Sequence, residues 1–183
     1  MPFIAYIGIG SNQPHGDQSP EQVVAAAIHE LEKLGRVSAQ SSLYATQPVG
    51  LIAQPAFINA AAEVLTAHGP EHLLEALIQI EHGFGRDRAV AVPKGPRTLD
   101  LDLLFAVSGQ GEGIIHNSPS LTLPHPEAPY RRFVLAPLAE IAPGLRHPDL
   151  NKTIAELLAE LPDEGSNAIA AVRVFENASG KAR

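Results

Sequence analysis

Apolar and polar positions alternate over Phe3–Ile9, and the residues are β-branched or aromatic, a pattern that predicts a strand. Ser19-Pro20-Glu21-Gln22 then supplies an N-cap, a proline at the first helical position and a capping-box glutamine. Val23, Val24, Ala27, Ile28, Leu31 and Leu34 recur on one face of the helix so opened, which stops at Gly35. Arg36–Thr46 and Phe57–Thr66 read as two further strands, joined by an uncharged loop, Gln47–Ala56, that carries two prolines. Gly69-Pro70-Glu71 starts a second helix, with Leu73, Leu74, Leu77, Ile78 and Ile80 facing inward and an end near Gly83. A helix-breaking stretch follows, Phe84–Thr98, and Leu99–Val107 is the fourth strand. Ser108–Ser120 is polar and glycine-bearing, a surface excursion. Short helices are predicted around Tyr130–Ile141 and Lys152–Leu161, with one more strand at Ala171–Phe175 and a frayed tail over residues 176–183.

The order β-α-β-β-α-β with helical additions predicts an α+β, ferredoxin-like fold, an antiparallel sheet with helices packed on it and extra C-terminal helices. A length of 183 residues suits one domain over 1–183, and 45% apolar residues suffice for a core, which excludes a disordered chain. The uncharged stretch Ala45–Ala62 is broken by Pro48, Gly50 and Pro55, so no membrane span is expected. The first residues lack the basic and apolar regions of a signal peptide, and the cytoplasm is the expected compartment. The absence of cysteine excludes disulfides, thiolate metal sites and a cysteine nucleophile.

A net charge of −7 argues against a nucleic-acid surface. The distribution is more informative than the total. Four of the 13 basic residues, Arg86, Arg88, Lys94 and Arg97, fall in one short segment, and Arg131 and Arg132 sit together further on. Gathered arginines suit a small anion such as phosphate, the alternative being a solvated loop.

Arg97-Thr98-Leu99-Asp100-Leu101-Asp102-Leu103-Leu104-Phe105 is the sharpest local feature. On a strand, Leu99, Leu101, Leu103 and Phe105 face one way into the core, and Asp100 and Asp102 point together from the other face. Their Cα atoms would lie roughly 6–7 Å apart, and two bare carboxylates at about 6 Å repel by on the order of 3 kcal/mol at an effective dielectric near 20. A hard cation removes that repulsion, Mg²⁺ first, completed by water and phosphate oxygens. An acidic outer face on a half-exposed strand is the plainer alternative, and the flanking arginines favour the metal. Gly8-Ile-Gly10-Ser-Asn12 fails as a dinucleotide fingerprint, because Gln13 stands at the third glycine position; a tight turn at a strand end is the expected use of these glycines. Phe57 and Asn59, two apart on a strand, share a face and suit a flat neutral heterocycle, one by stacking and the other by pairing its edge. His125, between Pro124 and the arginine pair, is the histidine best placed to reach a phosphate. No Walker A, G-x-S-x-G or H-E-x-x-H pattern is present.

These residues carry a resemblance. The chain resembles the 6-hydroxymethyl-7,8-dihydropterin pyrophosphokinases, over about Tyr6 to Leu150. The resemblance rests on Tyr6-Ile-Gly8-Ile-Gly10-Ser-Asn12, Phe57-Ile-Asn59, Gly95-Pro-Arg97-Thr-Leu-Asp100-Leu-Asp102, Leu123-Pro-His125-Pro and Arg131-Arg-Phe133-Val-Leu-Ala-Pro137. It implies diphosphate transfer from ATP to a pterin alcohol in folate biosynthesis, with release of AMP. It further implies that Asp100 and Asp102 bind two Mg²⁺ ions, that Arg86 and Arg97 grip the triphosphate, and that Arg131, His125 and Thr122 lie beside the nucleotide. The pterin would stack between Phe57 and Phe133, with Asn59 pairing its edge and backbone around Thr46 and Val49 closing the pocket. The expected partners are small molecules alone, with no nucleic acid, no membrane and no obligate protein partner, for a monomer. Two positions depart from the family's usual pattern: Lys94 stands where tryptophan is usual before Gly-Pro-Arg, and Gln47 where proline is common. A divergent paralogue acting on another pterin or a different alcohol, and a non-catalytic ligand-binding or regulatory module, are the competing readings; Mg²⁺-dependent ATP binding and acceptor screening separate them.

Overall fold

The structure, a computed structural model, describes residues 2–48, 53–86, 95–164 and 169–173. Strand β1 (Phe3–Ser11) is followed by helix α1 (Pro20–Leu31), β2 (Arg36–Gln40), β3 (Leu43–Thr46), β4 (Phe57–Thr66), α2 (Pro70–Gly83) and β5 (Asp100–Ser108). A small hairpin, β6 (His116–Asn117) with β7 (Thr122–Leu123), a 3₁₀ turn (Ala128–Tyr130), α3 (Arg132–Ile141), α4 (Ile154–Glu160) and β8 (Ile169–Arg173) complete it. The main sheet runs β5-β1-β4-β3-β8, with β2 also on β4. All its pairings are antiparallel. The predicted α+β, ferredoxin-like architecture is therefore present.

Both sheet faces are covered. The α1 and α2 stripes, Val23, Val24, Ala27, Ile28, Leu31, Leu73 and Leu77, pack with Leu99, Leu101 and Leu103 under one face. Leu104, Phe105, Leu135, Leu138, Ile154 and Leu157 form a second core on the other. The alternation expected of β5 fails at its midpoint. A register irregularity pairs Tyr6 with Phe105 but Ile7 with Leu103, so Leu104 is an extra residue. Phe105 consequently lies in the second core, against His147, not with Leu99, Leu101 and Leu103.

Several boundaries also differ from expectation. The strand predicted over Arg36–Thr46 breaks at Ser41–Ser42, where Ser41 Oγ accepts the Ala61 N–H at 2.9 Å and the Ser42 N–H and hydroxyl donate to Glu140 of α3 at 3.0 and 2.9 Å. α1 ends at Leu31, and the residues to Leu34 continue in tighter i→i−3 bonds before Gly35. A Cβ on Gly35 would lie 2.3 Å from the Leu65 carbonyl oxygen, so glycine is required by backbone contact with β4. The helix predicted from Tyr130 is interrupted by Arg131, which is extended at φ −117° and ψ 107° and serves as the N-cap of α3. The last strand begins two residues earlier than predicted; Val174–Phe175 and the tail lie outside the described residues. Among the described residues no helix is long and apolar enough to cross a membrane.

Candidate active site

A cleft of about 450 Å³ opens on the α3 face of the sheet, where the ends of β5, β1, β4 and β3 meet the start of α3. Antiparallel register sets its floor. Asp100 lies opposite Gly10, which lies opposite Asn59, and Asp102 lies opposite Gly8. Directly opposed residues share a face, so the two aspartates and Asn59 look into the same space. Gly8 and Gly10 are inside β1, not at a turn beyond it. A Cβ on Gly10 would meet Asn59 Oδ1 at 3.1 Å, and one on Gly8 would meet Leu104 Cδ1 at 3.2 Å. The glycines thus keep the floor flat.

One wall is charged. Arg97 Nη1 donates to Asp100 Oδ2 at 2.7 Å, and Arg86 donates to Asp100 Oδ1. Arg86 does not line the cleft; it stands behind Asp100, its side chain 13% exposed, and donates to Glu81 Oε1 at 2.8 Å. Glu81 is fully buried and also accepts the Leu101 N–H at 2.7 Å. The predicted inward face of α2 therefore includes Glu81, while Ile78 is outside the core.

The other wall is neutral. Phe57 and Asn59 share a face as expected. The Asn59 amide donates to Thr46 Oγ1 at 2.7 Å, which orients its carbonyl oxygen over Gly10. Phe133 and Val134, from the first turn of α3, face this wall across the cleft. The Arg97 guanidinium lies 5.5 Å from the Phe57 ring centroid, so the two walls meet there. Arg131 pairs with Glu127 and lies 5.8 Å from the Phe133 ring centroid.

Thr122 is exposed on β7, and neither it nor His125 lines the cleft. Burial lowers the His125 pKa, aided by the Arg131 charge and opposed by Glu127 and Asp100. Val49, Arg88 and Lys94 lie outside the described residues. Asn12 is a further polar centre. Only 2% exposed, it donates its backbone N–H to the Arg97 carbonyl at 3.1 Å, accepts the Arg97 N–H on its side-chain oxygen at 2.9 Å, and donates its side-chain amide to Gln54 and Pro55 at 3.0 and 3.1 Å. It ties the segments after β1, before β4 and before β5 around the cleft. Its place in a G-S-N motif was the visible signal; its partners, far along the chain, were not.

The donor set fits a hard divalent cation. Two carboxylates share one face, and among the described residues no group of three His, Cys, Asp or Glu side chains gathers to hold a metal by itself. Such an ion needs oxygens from outside the protein, as Mg²⁺ on a polyphosphate has.

A charged wall with two aspartates and arginines, facing a neutral slot with two phenylalanines and an amide, suits phosphoryl or pyrophosphoryl transfer to a flat acceptor. Residues 6–143 match the 7,8-dihydro-6-hydroxymethylpterin-pyrophosphokinase family, and the chain belongs to that family. The chain is 41% identical over 162 residues to the 2-amino-4-hydroxy-6-hydroxymethyldihydropteridine pyrophosphokinase of Pseudomonas aeruginosa, covering 87% of this chain and 93% of that one. It is 43% identical to the Bacillus subtilis protein of that name over 77% of this chain and 79% of the other. Against the folic acid synthesis protein fol1 of Schizosaccharomyces pombe it is 36% identical over 88% of its length, and spans only 21% of that longer protein. A solved Plasmodium falciparum HPPK-DHPS triple mutant has the same fold at a TM-score of 0.66 and 18% identity, over 87% of this chain and 44% of that one. The activity that goes with the family is pyrophosphoryl transfer to hydroxymethyldihydropterin in folate biosynthesis.

Proposed function

We propose that this chain transfers diphosphate from ATP, bound with Mg²⁺, to the hydroxymethyl oxygen of 6-hydroxymethyl-7,8-dihydropterin, releasing AMP. The observation that carries this reading is the row Asp100–Gly10–Asn59 across β5, β1 and β4. It puts the Asp100 carboxylate and the Asn59 amide on one flat floor, which supports a cation at the first and a heterocycle at the second, so that donor and acceptor would meet above the glycine.

Asp100 and Asp102 would hold the Mg²⁺, two ions by the family resemblance, and bound there it neutralises charge on the phosphates. Arg97 and Arg131 would face the same polyphosphate, with Arg86 behind Asp100 and with His125 and Thr122 on the nucleotide side. The pterin would lie between Phe57 and Phe133, its edge against Asn59 and Thr46. In that pose the alcohol oxygen attacks the β-phosphorus in line. A C–O–P bond forms, the bond from the β-phosphorus to the oxygen of the α-phosphate breaks, and the alcohol proton is released. Catalysis is then mainly positioning and charge compensation. The expectation that the segment Phe84–Pro96 closes over the nucleotide falls mostly on residues 87–94, which lie outside the described ones. We read the enzyme as a cytoplasmic monomer with small-molecule substrates.

The test is product identity with ATP, Mg²⁺ and the pterin, against a control without pterin. Pterin-dependent AMP without ADP is the expected result. ADP would mean transfer of the γ-phosphoryl group, and no turnover by a folded protein would point to another acceptor or a binding role.

A further inference from the structure

We propose that Glu81 is a positioning residue of this site, holding the Asp100–Asp102 segment and Arg86 so that Asp100 stays available to a divalent cation. The inference rests on the reading that Asp100 binds that cation. Glu81 is fully buried at the end of α2, where the Leu73–Leu77 stripe would ordinarily continue with an apolar residue. A buried carboxylate is costly without partners, and those it has are specific. Its Oε1 accepts the N–H of Leu101, the residue between the two aspartates, at 2.7 Å, and Arg86 Nη1 at 2.8 Å. The same Arg86 nitrogen reaches Asp100, whose second oxygen takes Arg97. Two guanidinium groups on one carboxylate would over-compensate it and repel a divalent cation. The Glu81 charge is set against that of Arg86, so Asp100 is balanced by Arg97 alone and not over-compensated, while the Leu101 bond fixes the strand behind it.

Equilibrium binding of Mn²⁺ by electron paramagnetic resonance, in the presence of α,β-methylene-ATP, tests this with the whole chain. Glu81→Gln keeps an acceptor for Leu101 and removes the charge. We expect its Mn²⁺ dissociation constant to rise about tenfold or more, with Asp100→Asn as the positive control. Adding Arg86→Met to Glu81→Gln removes the uncompensated cation and should restore Mn²⁺ binding to within about threefold of the wild type, whereas a purely structural role predicts losses that add. Should Glu81→Gln fail to fold, the double variant decides alone: near-normal Mn²⁺ binding supports the proposal, and binding as weak as in Asp100→Asn overturns it. Unchanged binding in Glu81→Gln beside weakened binding in Asp100→Asn overturns it too. Unchanged binding in Asp100→Asn overturns the cation reading itself.

Discussion

The two walls of the cleft are built in opposite ways. The neutral wall is local: Phe57 and Asn59 are two residues apart on β4, and Thr46 is reached through one step of β3–β4 register. The side-chain bond within it, Asn59 to Thr46, is between uncharged groups. The charged wall draws on α2, the segment after it, the residues before β5 and β5 itself, and is held by ion pairs behind the surface that faces the cleft. A flat neutral ligand needs shape and one oriented amide, which a rigid sheet supplies. A polyphosphate needs concentrated charge, and a protein can hold like charges together only by burying compensating ones beside them.

The comparison breaks most visibly at the carboxylates. Asp100→Ala or Asp102→Ala should lower turnover by roughly 10³-fold or more while leaving the fold intact, as read by AMP formation alongside circular dichroism; near-normal activity in either would remove the metal role from the charged wall. On the neutral side, Asn59→Ala should raise the KM for pterin by about tenfold, the loss of one ligand hydrogen bond, and leave the KM for ATP nearly unchanged. Equal effects on both substrates would show that the walls do not divide the work. Gly10→Ala lies on the line between them. Its Cβ would sit 3.1 Å from Asn59 Oδ1, so we expect a several-fold rise in the pterin KM and a stability loss of about 1 kcal/mol in urea denaturation.

The smallest effect lies outside both walls. Glu71, in the first turn of α2, accepts hydrogen bonds from Ser118, Ser120 and His116, which tether the β6–β7 hairpin. Led by the Ser118 bond, these hold the Glu71 carboxyl at about 2, below its ordinary value of 4.5. A lowered value means that the ionised form is favoured by folding. Its stabilisation is fully present above about 4.5 and lost as the pH falls towards about 2. The melting temperature of Glu71→Gln should therefore be slightly lower than that of the wild type at pH 6, with the difference shrinking as the solution is acidified through that window. The pterin KM should not move.

Much of the site was legible because strand periodicity acts locally. Asp100 and Asp102 share a face, and so do Phe57 and Asn59, through a two-residue repeat that needs no partner strand to be known. The order of elements and the apolar stripes of α1 and α2 were legible for the same reason. Periodicity failed where an extra residue entered a ladder: Leu104 turns Phe105 to the opposite core. It failed again at Ser41–Ser42, where bonds to Glu140 and Ala61, distant in sequence, divide one predicted strand into two. Glu81 left a faint signal, a carboxylate in register with Leu73 and Leu77, whose meaning depends on Arg86 and Leu101.

Taken alone, the sequence determined which residue types share a face, the succession of strands and helices, and the motifs that mark the family. Only the tertiary structure decided that Gly8 and Gly10 form the cleft floor, that Asn12 joins three segments around it, and that Arg86 stands behind Asp100 instead of lining the cleft. Facing within an element follows from backbone geometry repeated residue by residue. Register between strands, burial of a charge and the joining of loops depend on partners that only folding brings together.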